Sequence, residues 1–262
     1  MSGRARPPLA LTREITDAIT RCELTHLSRE PIDLRRAREQ HAAYEHCLRE
    51  LGCTVVRLPA DPAHGDAVFI EDTAVVLDEV AIMARPGAES RRGETGGVAR
   101  ALADYRPGGA IEAPATLDGG DVLVLGRTVL VGLSRRTDEK AAAQVARILA
   151  PWGYVVRTVT VTGCLHLKTA VTSPAEGILL LNPEWIEPSA LPAWDLLPVD
   201  PAEPFAANVL RVEGRVLVAS HAPRTRERLE GRGLPTSIVQ LAELAKAEGG
   251  LTCCSLILAR SG

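Results

Sequence analysis

The sequence predicts a mixed α/β architecture in which one supersecondary unit is repeated about a common point. Three observations carry that reading. Short β-branched runs alternate with amphipathic segments along all 262 residues, with no long linker and no low-complexity stretch between them. Two pairs of these runs read as hairpins. Polar residues also recur at predicted strand ends, at Asp72, Asp118, His166, Asn208 and Cys253, with separations of 42 to 48 residues. Such a period is expected where equivalent strand ends of a radial or stacked repeat converge.

The elements follow in chain order. Residues 33–51 form an amphipathic helix, with Asp33 as N-cap and Gly52 just past its end. Strands are predicted at 53–59, 73–77 and 80–84, the last two turning at Asp78-Glu79. A second hairpin joins 121–125 to 128–132 through Gly126-Arg127. A helix over 137–150 takes Thr137 as cap and Ala143, Val145, Ile148 and Leu149 as apolar contacts. In Cys164-Leu165-His166-Leu167-Lys168, strand alternation would bury the leucines and turn His166 to a polar face with Cys164 and Lys168. Strands at 177–182 and 215–220 precede a charged helix at 223–231 opened by Pro223, and a last strand covers 255–259.

Composition narrows the function. Thirty basic and 33 acidic side chains leave a net charge of -3, which predicts no general attraction to nucleic acid or to an anionic membrane. No apolar run reaches the ~18 residues of a membrane span, and the first residues lack the apolar core of a signal peptide, so a cytoplasmic location is expected. Six cysteines without C-x-x-C spacing are expected to be thiols there. No phosphate-binding glycine loop, G-x-S-x-G or paired-histidine metal motif occurs.

What remains is a set of chemically capable side chains. Gly249-Gly250 lets a loop approach closely, and only one of Cys253 and Cys254 behind it can face a given site. Taken alone, either is an ordinary buried thiol, and His166 alone an ordinary structural histidine. Paired, they offer a nucleophile and a base. Asp66, Glu71 and Asp72 flank one apolar run, and Asp118 and Asp121 flank a Gly-Gly. Arg85 and Arg136 offer planar forks for a carboxylate.

Read together, GDAVFIEDTAV, ARPGAESRRGE, TLDGGDVL, LSRRT, LHLK, FAANV and GGLTCCSL resemble the ordered signature of the dimethylarginine dimethylaminohydrolases, over residues 10–260. The resemblance implies a five-bladed propeller of ββαβ modules (the pentein fold), with residues 1–262 as one catalytic domain around a central cavity. It implies Cys253 as nucleophile, His166 as acid/base and Asp118 as its support. Asp72 would grip the guanidinium with Glu71 nearby among the substrate contacts, Asp66 would hold the substrate amino group, and Arg85 and Arg136 its carboxylate. Phe69 would form a wall, Leu24 would sit in a lid, and Ala247 would stand where relatives contact substrate with a carbonyl.

On this resemblance the partner is a small guanidine amino acid, turned over without cofactor, and zinc on Cys253 and His166 would inhibit. A homodimer is compatible with it. Two other readings stay open: an arginine deiminase-type hydrolase, although those enzymes tend to carry an inserted helical domain for which this chain has no room, and a non-catalytic zinc module built on Cys164, His166, Cys253 and Cys254.

Overall fold

In the computed structural model, which describes residues 7–258, the chain forms five three-stranded sheets. The first module has β1 (Leu9–Arg13), α1 (Leu34–Glu50) and β2 (Thr54–Leu58), and the second β3 (Ala74–Val76), β4 (Ala81–Met83), α2 (Thr95–Leu102) and β5 (Gly108–Ala110). The third has β6 (Val122–Leu125), β7 (Thr128–Leu133), α3 (Glu139–Leu149) and β8 (Val155–Thr160). A one-turn helix, α4 (Leu167–Ala170), leads into the fourth: β9 (Val171–Ala175), β10 (Ile178–Leu181) and β11 (Asp195–Pro198). The fifth has β12 (Leu210–Val212), β13 (Arg215–Ala219), α5 (Pro223–Gly231) and β14 (Thr236–Val239); α6 (Ala242–Ala245) and β15 (Leu256–Leu258) follow.

Every sheet has the same pairing. Its first strand runs antiparallel to the second, and the second runs parallel to the third. In the first module the missing strand comes from the other end of the chain: β15 pairs antiparallel with β1, Leu9 opposite Leu258. The predicted repeat is therefore present as five ββαβ modules, and the two chain ends close the ring. In the fourth the crossover carries a short 3-10 turn, Pro188–Ala190, in place of a helix.

The middle strands explain why the predicted runs are apolar throughout. Alternation sends successive side chains to opposite faces, and each face meets a neighbouring module. In β7, Val129 and Val131 join the core shared with the second module, whereas Leu130 joins that shared with the fourth. Likewise Leu9 and Leu11 pack toward the second module and Ala10 toward the fifth. The same split continues at Leu180 against Leu179 and Leu181, and at Leu217 against Val216 and Val218. Strands buried on both faces must be apolar at every position.

The axis is laced by hydrogen bonds from module to module. Gly120 N donates to Asp72 Oδ1 (3.0 Å), Leu167 N to Asp121 Oδ1 (2.8 Å) and Asn208 Nδ2 to Lys168 O (3.0 Å). Thr252 N donates to Asn208 Oδ1 (3.1 Å), and Glu71 N to Cys253 O (3.2 Å) closes the ring. The five residues spaced in the sequence thus meet at one place.

Several local expectations are corrected. Asp138, not Thr137, caps α3 by accepting from Ala141 N at 2.8 Å; the Thr137 hydroxyl instead accepts from Asp118 N at 3.0 Å. Ala143 is exposed, and the buried face of α3 is Ala141, Ala142, Val145 and Leu149. Residues 164–168 are not a strand. His166 is the extended N-cap of α4, Cys164 and Leu167 are core, and Leu165 is half-buried. The predicted helix at 33–51 is α1 with Asp33 accepting from Arg36 N at 3.0 Å. Of the last predicted strand, position 259 lies outside the described residues.

Candidate active site

The candidate residues precede the first strand of each sheet, where five chain segments crowd together. Side chains would obstruct that approach at the glycine pairs. A Cβ on Gly120 would fall 2.7 Å from both Asp72 Oδ1 and His166 Nδ1, and one on Gly249 would fall 2.2 Å from Phe69 Cε1. Phe69, 4% exposed, walls the Gly249 side. The cysteine turn is anchored from outside by Tyr44 of α1, whose hydroxyl donates to Leu251 O (3.1 Å) and pairs with Ser255 Oγ (2.7 Å).

His166 is 3% exposed and held between two buried carboxylates. Its Nε2 lies 3.0 Å from Asp118 Oδ2, and its Nδ1 lies 3.7 Å from Asp72 Oδ1. Burial pulls its pKa down, but the charge of Asp72 and the hydrogen bond to Asp118 outweigh burial and lift it to about 9. Imidazolium is therefore the resting form at neutral pH. Asp118 is fixed on its other oxygen by Gly87 N at 2.9 Å. Burial raises Asp72, yet His166 and Arg91 prevail and hold it at about 2.

The Cys253 thiol accepts a hydrogen bond from Gly250 N at 3.3 Å. Burial, then the charges of Glu71 and Asp72, push it up to about 12, so in the free protein it is a neutral thiol. Asp72 thus acts on both Cys253 and His166, which ties the two groups to one locus. Cys254 is fully buried and donates to Gly250 O at 3.5 Å; burial first, then Cys253, raises it well above the ordinary thiol range.

Arg91 was not singled out by the sequence reading, and it is central. Its guanidinium contacts Asp72 Oδ2 (2.6 Å), Glu94 Oε2 (2.9 Å), Asp66 O (3.3 Å) and Phe69 O (3.2 Å). Burial opposes its charge, but Asp72, Glu94 and Asp66 keep its pKa well above the ordinary value. The usable signal was Glu94 three residues on in ESRRGE. Arg85, from the same segment, instead donates to Ala115 O at 3.0 Å, beside a bridge to Leu117, and is not drawn into this cluster. Arg136 is: it is 8% exposed, with Nη1 3.9 Å from Asp118 Oδ2 and Nη2 donating to Thr25 Oγ1 at 3.2 Å.

Asp66 is buried and accepts from Glu23 N at 3.0 Å; burial raises its pKa while Arg91 opposes. Leu24, half-buried, lies in the covering segment next to that contact, and Ala247 is buried in the core that carries the cysteine turn. Glu71, expected near Asp72 among the substrate contacts, turns to other partners. Its carboxylate binds Lys168 Nζ (2.6 Å) and Thr252 Oγ1 (2.6 Å). It lines a cavity of about 270 Å³ with Val75, Leu123, Ser173, Leu210 and Ile257, further along the axis than Asp72.

Asp72, Asp118 and His166 form the compact acid/imidazole group that a metal could use among the described residues. Their donor atoms are already engaged by Gly120, Arg91, Gly87 and one another, an arrangement that positions an imidazolium. A separate apolar cavity of about 180 Å³ adjoins the site, lined by Leu27, Leu165, Phe205, Asn208, Glu248 and Gly250 among others. No helix among the described residues is long and apolar enough to cross a membrane.

Five modules closing on an axis that carries a thiol, an imidazolium and buried acids place the chain among the pentein-fold, guanidine-modifying enzymes. The comparisons narrow this. The family described as N,N dimethylarginine dimethylhydrolase, eukaryotic, matches residues 9–187. An N(G),N(G)-dimethylarginine dimethylaminohydrolase from Streptomyces coelicolor is 40% identical, over 95% of this chain and 96% of that protein. A dimethylarginine dimethylaminohydrolase crystallised as a histidine-to-glycine variant in adduct with S-methyl-L-thiocitrulline superposes with a TM-score of 0.92, 31% identity and coverage of 96% and 100%. A cysteine-to-serine variant from Pseudomonas aeruginosa, complexed with citrulline, gives 0.91, 31%, 96% and 99%. The chain belongs to the dimethylarginine dimethylaminohydrolase family.

Proposed function

We propose that this protein hydrolyses Nω-methylated L-arginines to L-citrulline and dimethylamine or methylamine, through an S-alkylthiouronium intermediate on Cys253. The observation that carries this reading is the His166 ring, fixed between the buried carboxylates of Asp72 and Asp118 on the axis that also carries Cys253. The citrulline and thiocitrulline bound by the two structural relatives support it.

A guanidinium spreads its charge over three nitrogens and is a poor electrophile, and a protonated thiol is a poor nucleophile. Binding addresses both. Asp72 and Asp118 hold the guanidinium plane with its carbon facing sulfur. A cation ~4 Å from sulfur is worth about 4 kcal/mol at an effective dielectric of 20, roughly a thousandfold in thiolate population. Substrate itself thereby drives the Cys253 proton out to solvent, against the acids that raise the thiol's pKa.

Sulfur then bonds to the guanidino carbon, and His166 gives its proton to the methylated nitrogen as the carbon–nitrogen bond breaks. The neutral imidazole next takes a proton from water, whose oxygen bonds to the same carbon. The carbon–sulfur bond breaks as the hydroxyl proton passes to the departing sulfur, leaving the ureido group of citrulline and the resting thiol. Arg136 positions the substrate carboxylate and Asp66 its amino group, while Arg91 braces Asp66 and Asp72. No cofactor enters this scheme, and zinc would act on Cys253 and His166 as an inhibitor. We place the reaction in the cytoplasm; six free cysteines fit a reducing compartment.

The test is turnover of asymmetric dimethylarginine and of arginine compared as kcat/KM. The methylated substrate is expected to lead by at least about tenfold, a difference of ~1.4 kcal/mol. Faster turnover of arginine would overturn the assignment in favour of a deiminase.

A further inference from the structure

We propose that Glu248 is the latch that holds the segment at 25–27 closed over the active site. Its Oε1 accepts from three consecutive backbone amides, Thr25 N (3.0 Å), His26 N (2.5 Å) and Leu27 N (2.7 Å). Its Oε2 is buried and has no hydrogen-bond partner among the described residues. Arg29 also ties this stretch down, donating to Thr20 O (2.8 Å) and Cys22 O (2.6 Å), as does Ser90 Oγ donating to Glu23 Oε1 (2.5 Å), but these bonds do not engage the amides of 25–27. Residues 23–30 carry neither helix nor strand and are mostly exposed, so their amides depend on such external acceptors.

The backbone that presents this carboxylate is itself unusual. Glu248 stands at φ +58, in the left-handed region that costs a side-chain-bearing residue energy and persists only where surroundings impose it. It lies between Ala247 and Gly249-Gly250, in the turn that continues to Cys253. One turn therefore carries both the nucleophile and the group that closes the cover.

Two further ties join this segment to the site residues, and they have a different character. Asp66 accepts from Glu23 N at 3.0 Å, and Arg136 donates to Thr25 Oγ1 at 3.2 Å. Under the function proposed above, both groups are the ones that take the substrate's amino and carboxylate ends. Substrate and cover therefore compete for them, whereas the three bonds to Glu248 are independent of substrate. Charge-assisted bonds to a carboxylate are about twice as strong as neutral ones. Closure over bound substrate accordingly falls to Glu248, a positioning residue that holds the cover and performs no step of the reaction.

Amide hydrogen exchange over residues 22–30 of the substrate-free protein tests this directly, since it reads the opening of these bonds. In Glu248→Ala, the Thr25, His26 and Leu27 amides are expected to exchange at least about tenfold faster. Glu248→Gln, which keeps an acceptor but loses the charge, should fall between it and the parent. Unchanged exchange in both variants would overturn the proposal. If the alanine variant also loses protection in Leu34–Glu50, it has unfolded, and Glu248→Gln then decides alone.

A kinetic arm rests on the proposed function. With dimethylarginine, Glu248→Gln should raise KM several-fold with little loss of kcat. Loss of kcat with unchanged exchange would instead place Glu248 in the chemistry and contradict the latch. Parent protein inactive on every guanidine would remove the function and leave the exchange result standing.

Discussion

Glu71 and Asp72 are neighbours in the chain, yet they serve two different ends of the propeller axis. Asp72 faces His166 and Arg91 in a cluster that is only 2–4% exposed. Glu71 faces Lys168 and the 270 Å³ cavity lined by the first strands of the modules. The first environment is dense with charge, its carboxylates held by hydrogen bonds from Gly120, Gly87, Arg91 and His166. The second mixes valines, leucines and isoleucine with hydroxyls and holds the Glu71–Lys168 ion pair. The contrast teaches that sequence adjacency decides little about chemistry here; what matters is which side of the ring a carboxylate leaves from.

The largest effect on stability should come from removing the cation that makes the dense end tolerable. Arg91→Met strands Asp72 and Glu94 in the interior, and breaking such buried pairs costs about 3–5 kcal/mol. Arg85→Met gives up one bond to a carbonyl, about 1 kcal/mol. Denaturant unfolding of both variants checks this, and equal costs would erase the distinction drawn between these arginines.

A second effect concerns the ionisation of the thiol. With its pKa pushed up to about 12, Cys253 in the free protein is protonated at pH 7, and its thiolate fraction grows tenfold for each pH unit below that value. Alkylation of Cys253 by iodoacetamide should therefore rise about tenfold per pH unit from 7 to 10 without levelling. A plateau near pH 8 would mean that the resting site already holds a thiolate.

The smallest effect belongs to the far end. Lys168 lies on the cavity side and lowers the Cys253 pKa only weakly, behind burial and the acids. Lys168→Met should cut turnover about three- to tenfold at neutral pH, with partial recovery as pH rises. A thousandfold loss would show that the two ends are not separable.

Much of this was legible in the sequence, for physical reasons. The strands were readable because the middle strand of each module is buried on both faces, and the period was readable because each module places one polar residue at the axis. The ring brings His166, Asp72, Asp118 and Arg136 into contact, with Asp66 tied in through Arg91, and Cys253 beside Glu71, while their roles are those proposed above. The direction of individual side chains was less accessible. Strand alternation gave His166 the wrong element, since the chain there is a cap on a one-turn helix whose register depends on Asp121 accepting from Leu167 N. Arg91 was masked by Arg85, because an arginine at a strand end and one in a 3-10 turn look alike until the ring brings Asp72 beside the second. Glu248 shows no local signal at all, since its partners lie 221 to 223 residues earlier.

Covalent catalysis at the axis is tested most directly by citrulline release from dimethylarginine by the parent, Cys253→Ser and Cys254→Ser. Cys253→Ser is expected to lose more than about a thousandfold of activity, whereas Cys254→Ser, altering a buried thiol behind the turn, should keep most of it. Substantial activity in Cys253→Ser, or its loss only in Cys254→Ser, would contradict the account.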